Sequence, residues 1–550
     1  MTTFGLIVRR GSRWLPLIGV AALLGTLVTL GLPYVLGRTL DALVSGGDTG
    51  GWFAVAGGLI ALGVTCEIVD TFADAACVAT TTAWLRTLLI GHVLAIGPSR
   101  AREFDTGDLV SRVSSNAVDA ARAGPTVMTL AAAALPPVGS LVLLAIIDLW
   151  LAVAFVAGVV LVVIVLWGFA RRTADIMSSY QEIQGRIAAR LSESLGGART
   201  IGTAGTLGRE QRRVLEPLPA LREQGGRTWR VLGRSSAQAA VVGPLVLIAV
   251  LAAAGIEVAH GRISAGDLLA ASQYAVIGAG LGSLTGVLGE MARARSGAQR
   301  AAEVLDVPVT GFGTHDLADG TGRLQFRGVT VRAGDATLLD DVNLDLPAGA
   351  AVAVVGRSGA GKSVLTAVAA RLRDPDEGEV LLDGVPLREL PHDTLRANVG
   401  CAFERPVLVG ATVGDAIAMG HPDPAGVPAA ARATHAHDFL ARLPLGYATP
   451  LADAPMSGGE HQRVGLARAW PAERLLVLDD ATSSLDTVTE MQISRTLTES
   501  GPERTRLIVT HRPATAARAD LVVWIDAGRV RAVGRHEALR DDPAYLKAFT

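Results

Sequence analysis

The sequence predicts a multidomain membrane protein, with an all-α transmembrane domain of six helices followed by an α/β phosphate-loop domain. Three observations predict it. Half of the 550 residues are apolar and only 19% are charged, and the mean hydropathy of +0.38 is rarely met in a soluble globular protein of this size. The apolarity is concentrated in six runs of membrane-spanning length within roughly the first 290 residues. Beyond them, a strand-like run, a glycine-rich loop and a helical pattern follow one another around Gly361-Lys362-Ser363.

Composition excludes other classes. A net charge of −2 offers no basic surplus for neutralising a phosphodiester backbone, so no nucleic-acid partner is expected. Cys66, Cys77 and Cys401 show neither C-x-x-C spacing nor an even set for a disulfide framework and read as inert buried thiols. Lys362 and Lys547 are the only lysines among 50 basic residues, which singles out Lys362.

A bilayer core about 30 Å thick is crossed by about 20 helical residues. The runs 14–36, 52–77, 126–147, 149–170, 237–258 and 268–288 meet that length. Arginines set their orientation. Arg9, Arg10 and Arg13 precede the first run, Arg100, Arg102 and Arg112 follow the second, Arg171 and Arg172 the fourth, and Arg293, Arg295 and Arg300 the sixth. Those ends are expected in the cytoplasm, with both termini, while the short connections 45–51, 148 and 260–267 face outward. The first run is too long for a signal-peptide core, so no cleavage is expected. The two long inner connections, 94–125 and 171–234, carry Arg, Glu, Gln and Ser at helical spacing and are read as helices continuing below a cell membrane. The resulting division is a transmembrane domain over 1–297, a linker over 298–320 and a nucleotide-binding domain over 321–550.

In the second half, the apolar run 350–356 leads into Gly356-x4-Gly361-Lys362-Ser363 and then a helical pattern over 364–372. Strand, glycine-rich loop and helix form the context a phosphate loop requires. The loop Gly356, Ser358, Gly359, Ala360, Gly361, Lys362 and Ser363 is expected to bind ATP. Its backbone N–H groups would surround the β-phosphate, with Lys362 at the β and γ oxygens and Ser363 Oγ on Mg²⁺. Leu475-Leu476-Val477-Leu478-Asp479 is a strand ending in the expected Mg²⁺ carboxylate.

Met456-Ser457-Gly458-Gly459-Glu460, ending nineteen residues before Asp479, resembles the signature of the ATP-binding cassette (ABC) family, Leu-Ser-Gly-Gly-Gln or a near variant. Ser484-Leu485-Asp486 and Thr510-His511-Arg512 resemble two further motifs of that family, in order. With six spans ahead of one cassette, the whole chain looks like an exporter-type half-transporter. The stretch 104–112 resembles the family's first intracellular coupling segment, and 201–211 its second. The resemblance implies a head-to-tail pair of cassettes, in which Ser457, Gly458, Gly459, Glu460 and Asp486 of one half close over ATP held by the phosphate loop of the other. His511 would sense the γ-phosphate.

The chain departs from the family pattern at named positions. Asp480 stands where Glu is usual after the Mg²⁺ aspartate, one methylene short of the attacking water. General-base help is worth about 10² to 10⁴ in rate, so the swap either forfeits much of it or is a harmless conservative change. Glu404 replaces the usual Gln that contacts Mg²⁺ and water, and a second anion there calls for a compensating cation. Ala333 replaces the adenine-stacking Tyr, removing about 1 to 3 kcal/mol of stacking unless Arg332 supplies a plane. The stretch 449–455 lacks the usual Gly-Glu-Arg-Gly. These weakened positions beside an intact Ser457-Gly458-Gly459 resemble the degenerate half of a heterodimer, with a homodimer as the other arrangement.

Glu67, Asp70 and Asp74 fall at i, i+3 and i+7, one stripe of the second span. They form either a wall of the path for a cationic or polar substrate or partners of Arg86 or other helices. Aromatics are only 4% of the chain, which disfavours an aromatic-lined multidrug pocket. The expected function is ATP-driven export of an amphipathic small molecule or modified peptide. The alternatives are an exporter-fold importer of a lipophilic chelate and a largely non-hydrolysing ATP-binding subunit.

Overall fold

A computed structural model describes residues 3–101, 103–279, 283–419, 424–499 and 504–549. Arg102 and the centre of the sixth apolar run, 280–282, lie outside them. The chain divides into two compact units, Met1–His92 with Asp105–Asp306, and Val93–Phe104 with Val307–Thr550.

The first unit is built of helices. In chain order they are α1 (Leu15–Ser45), α2 (Gly50–Ala95), α3 (Ala123–Ala133), α4 (Leu135–Ile147), α5 (Leu149–Gly196), α6 (Leu218–Ala259), α7 (Ala265–Ala279) and α8 (Ser283–Leu305). Each of the six apolar runs falls on one or two of them. Leu15–Ser45, Gly50–Ala95 and the stretch Thr106–Ile147 are long and apolar enough to cross a membrane, and Leu149–Leu161 and Pro244–Ala259 are shorter apolar segments.

Local sequence explains the breaks. Gly46 at φ +71° ends α1 in the left-handed conformation that glycine adopts without strain. Pro136 and Pro137 open α4, where a missing N–H costs nothing. Asp148 caps α5 by accepting from the Trp150 N–H at 2.8 Å. As expected from the inner connections, α5 runs for 48 residues and α6 for 42. The core of this unit gathers Leu144, Leu151, Phe155, Val246, Val250 and Tyr274. Helices α1 and α7 meet through glycine, since a Cβ on Gly37 would come within 2.5 Å of the Gly266 carbonyl oxygen. Asp41 seals that contact by accepting from Ser264 Oγ and the Gly266 N–H, both at 2.7 Å.

The second unit carries two sheets. The strands are β1 (Leu324–Ala333), β2 (Ala336–Leu346), β3 (Ala351–Val355), β4 (Glu377–Leu382), β5 (Val385–Pro386), β6 (Val399–Phe403), β7 (Leu475–Asp479), β8 (Thr505–Val509), β9 (Leu521–Asp526) and β10 (Arg529–Gly534). An antiparallel sheet has the order β2-β1-β4-β5, and a six-stranded sheet the order β10-β9-β3-β8-β7-β6. In the latter β9, β3, β8, β7 and β6 are parallel and β10 is antiparallel to β9. The central strands are covered on both faces, which is why β3 and β8 are buried along their whole length and read as unbroken apolar runs. In an open parallel sheet, ligands bind at the carboxyl ends of the strands. The phosphate loop follows β3, Asp479 ends β7 and His511 follows β8 at that edge.

Helix α9 (Lys362–Ala369) follows the loop after β3. Between β6 and β7, Val413–Ala418, Val427–Ala433, His437–Leu440 and α10 (Gly458–Ala469) form a helical subdomain with its own core, including Val413, Ile417, Phe439 and Val464. Helix α11 (Thr487–Glu499) follows β7.

Candidate nucleotide site

The loop after β3 can be closed only by glycine at two positions. Gly361 has φ +102°, and a Cβ there would stand 2.8 Å from the Leu338 carbonyl oxygen. A Cβ on Gly356 would stand 2.3 Å from the Ile525 carbonyl oxygen. Glycine at these positions therefore lets the loop pack directly against the backbone of β2 and β9. The Lys362 ammonium is buried and donates to the carbonyls of Gly356 at 2.7 Å and Arg357 at 3.1 Å. Burial lowers its proton affinity below that of an ordinary lysine, and the Asp480 and Asp479 carboxylates oppose that shift.

Ser363 Oγ donates to Asp479 Oδ1 at 3.1 Å, joining the two residues expected to hold Mg²⁺. Burial raises the pKa of Asp479, opposed by the Ser363 hydrogen bond. A hydroxyl and a carboxylate side by side are hard oxygen donors that suit Mg²⁺, which uses one or two protein oxygens and takes the rest from phosphate and water. Among the described residues no cluster of three or more His, Cys, Asp or Glu forms a self-sufficient metal site.

Asp480 adopts φ +50°, and its Oδ2 lies 3.4 Å from His511 Nε2. Burial also raises the pKa of Asp480, opposed by His511 and Lys362 and reinforced by Glu404. Glu404 has Arg405 Nε 3.9 Å from its Oε1. Ser358, Lys362, Ser363, Glu404, Asp480 and His511 line one cavity of about 640 Å³. The structure thus gathers the phosphate loop with Glu404, Asp480 and His511.

Other expected residues lie elsewhere. Ser457, Gly458, Gly459 and Glu460 sit at the N-terminus of α10 and do not line this cavity. Asp486 accepts from the N–H groups of Val488 and Thr489, capping α11. Ala333, at the end of β1, lines a separate groove of about 1,000 Å³ shared with residues from Leu94 to Glu103. The guanidinium of Arg332, the alternative stacking plane, is held by Glu377 at 2.7 Å.

In the first unit, Glu67 and Asp70 line a groove of about 550 Å³ together with Gln273 and Ile277 of α7. Asp70 Oδ1 is buried without a hydrogen-bond partner among the described residues, and Asp74 is not part of that groove. Arg86, expected as a partner for this stripe, donates to the carbonyls of Val113 at 3.1 Å and Ser114 at 2.9 Å. Glu257, near the end of α6, is buried and paired with Arg262 at 3.1 Å.

Sequence reasoning assigned no role to three residues around the site. Glu490 and Arg512 form an ion pair at the cavity wall. The Gln462 side chain ties α10 to two segments around the cavity. Its one available signal was a polar residue on the buried side of α10, where its neighbours Val464 and Leu466 are apolar.

Residues 15–279 match the ABC transporter transmembrane region and residues 339–483 the ABC transporter family. The chain belongs to the ABC transporter family. It joins both parts in one polypeptide, as an exporter-type half-transporter. It is similar to the ABC transporter ATP-binding protein RamA of Streptomyces coelicolor, 46% identical over 94% of this chain and 82% of the relative. The ATP-dependent lipid A-core flippase of Chromohalobacter salexigens is 31% identical over 84% of this chain and 82% of that one. A solved bacterial Atm1-family ABC exporter with ATP bound superposes with a TM-score of 0.80 at 25% identity, covering 98% of each chain. The half-transporter binds ATP through its cassette and works in a membrane, as ABC half-transporters do when paired.

Proposed function

We propose that this chain is one half of a heterodimeric ABC exporter that moves an amphipathic small molecule or modified peptide out across the cytoplasmic membrane, both termini being cytoplasmic. The observation that carries the reading is the convergence of Lys362, Ser363, Asp480 and His511 on one cavity. Lys362 neutralises charge on the β and γ oxygens of ATP, where a low-dielectric setting strengthens its effect. Ser363 and Asp479 would hold Mg²⁺, which would supply charge neutralisation on the phosphate oxygens. Asp480 orients the water that attacks the γ-phosphorus and takes its proton as the bond to the β-γ bridging oxygen breaks. His511 fixes the Asp480 carboxylate and meets the γ-phosphate. The Ser457 end of α10 addresses the nucleotide of the partner half, which its position outside the cavity of its own chain supports.

Asp480 also supports asymmetry. Its carboxylate is one methylene short and directed toward His511, so this chain's own site turns over slowly and retains ATP while the partner's site hydrolyses. A lipid-like, amphipathic cargo is supported by the likeness to the lipid A-core flippase and by a groove in the first unit with an acidic wall and an otherwise mostly apolar lining. The test is ATP-dependent uptake of candidate amphiphiles into inside-out proteoliposomes, with the chain alone and with a second half-transporter. Equal coupled transport by the chain alone overturns the heterodimer.

A further inference from the structure

Gln462 lies on α10, five residues past Ser457, and is buried. Its Nε2 donates to the Glu404 carbonyl oxygen at 2.7 Å and to Ser483 Oγ at 3.0 Å, while its Oε1 accepts from the Ser484 N–H at 2.9 Å. Both amide protons and the carbonyl are therefore in use. Glu404 begins the segment after β6, and Ser483 belongs to the segment after β7 that starts at Asp480. The Ser483 N–H donates to the Asp480 carbonyl oxygen at 3.1 Å. Glu404, Ser483 and Asp480 all line the nucleotide cavity. Little slack separates the helix from these segments, because a Cβ on Gly459 would stand 3.1 Å from the Ser484 carbonyl oxygen.

One side chain thus ties the helix that begins at Ser457 to two of the segments forming the end of the cavity where Asp480 and Glu404 sit. We propose that Gln462 is a positioning residue that couples the two ATP sites of the dimer, transmitting a displacement of the Ser457 end of α10 to Asp480 and Glu404. The proposal rests on the reading that this end of α10 addresses the nucleotide of the partner half. A buried residue serving packing alone would be filled equally well by an unbranched apolar side chain of the same length. The three partners here are instead backbone and hydroxyl groups of the segments that surround nucleotide, and a carboxamide satisfies them together.

The experiment uses the full-length dimer in lipid nanodiscs. Steady-state hydrolysis is titrated with ATP, and binding of trinitrophenyl-ATP is measured separately. The variants are Gln462→Met, Ser483→Ala, the pair combined, and Ser457→Ala. Gln462→Met is expected to bring the Hill coefficient for ATP down to one and to leave the nucleotide Kd within twofold of wild type. Ser483→Ala should have no further effect in the Gln462→Met background, since the bond is already gone. Should Gln462→Met fail to fold, Gln462→Glu keeps the length and the acceptor for Ser484 while losing both donors, and serves the same test. Wild-type cooperativity in the Gln462 variant beside an impaired Ser457→Ala overturns the proposal alone. Full additivity of Gln462→Met and Ser483→Ala also overturns it. Unchanged hydrolysis in Ser457→Ala overturns the reading on which it rests.

Discussion

The Ser457 hydroxyl donates to Glu460 Oε2 at 2.8 Å, and the Ser457 N–H donates to the same oxygen at 2.7 Å. The Glu460 N–H returns a bond to Ser457 Oγ at 3.3 Å, completing a reciprocal cap on α10. The usual family residue at this position is Gln. Here the hydroxyl expected to meet a γ-phosphate must first leave a carboxylate, which then remains as a like charge beside the phosphate. Ser457-Gly458-Gly459 is intact, and Glu460 adds a charge beside it.

Glu460→Gln keeps an acceptor for the cap and removes the charge. The ATP concentration for half-maximal hydrolysis by the dimer should fall about three- to tenfold, the equivalent of about 1 kcal/mol of relieved repulsion. Burial pushes the Glu460 carboxyl up, but the Ser457 bonds and Arg463 outweigh it and hold the pKa below the ordinary value. With the folded pKa depressed, the cap's contribution is complete above the ordinary value and is lost as pH falls through the folded one. Wild-type ATP dependence from about pH 6 to 9 should therefore show no titration from this group, and a step in that range assigned to Glu460 refutes the assignment.

Asp480 occupies φ +50°, a conformation that Asp and Asn tolerate better than other non-glycine residues. Asp480→Asn should thus fold normally and leave steady-state turnover of the dimer within about twofold, whereas Ser457→Ala combined with Gly458→Asp should abolish it. If Asp480→Asn proves equally damaging, this chain's own site hydrolyses ATP and the asymmetry is wrong.

Lys362→Ala removes the ammonium that faces the loop carbonyls of Gly356 and Arg357. Retention of labelled ATP after rapid dilution should shorten at least tenfold, with steady-state hydrolysis reduced only partly. Complete loss of turnover would place the working site in this chain.

Asp70→Asn should lower transport of a cationic amphiphile by an order of magnitude while leaving basal ATP hydrolysis and dimer assembly unchanged. The Asp70 oxygen, which has no hydrogen-bond partner among the described residues, motivates the choice. Loss of folded protein would instead mark the stripe as structural.

For topology, a cysteine placed at Thr49 should react with an impermeant maleimide added outside intact cells, and one at Ala220 should not. Equal labelling contradicts the six-span arrangement. Cys66 and Cys77 are buried and contribute little background.

Much of the architecture was legible because its signals are local. Six apolar runs of bilayer length, a β3 strand apolar on both faces and a glycine loop with Lys362 each follow from a stretch of chain read by itself. The parts that were not legible depend on distant partners. Nothing local reveals that Val93–Phe104 packs with the second unit, where Ser99 Oγ donates to the Leu372 carbonyl oxygen at 3.0 Å. Nor does periodicity show that Gln462 faces Glu404 and Ser483, that Arg332 is held by Glu377, or that Arg86 is spent on carbonyls of 113 and 114. Hydrogen bonds between residues far apart in sequence leave no period behind. The Ser457-Glu460 cap is the exception, a three-residue spacing that reads as a helix start as well as a signature.

The lengths of α5 and α6 set a gearing. At 48 residues, α5 extends about 72 Å at 1.5 Å per residue, more than twice the bilayer core of about 30 Å. A rigid rod of that length pivoting by about 5° at its outer end carries its inner tip about 6 Å, while a point at mid-bilayer moves only about 1 Å. Helix α6 packs along α5, so a tilt of one would carry the other. In the proposed exporter, side-chain-sized adjustments around a cargo would thereby be magnified to helix-sized strokes at the far tip. Run in reverse, a large inner stroke is stepped down to a small, forceful change in the grip on that cargo.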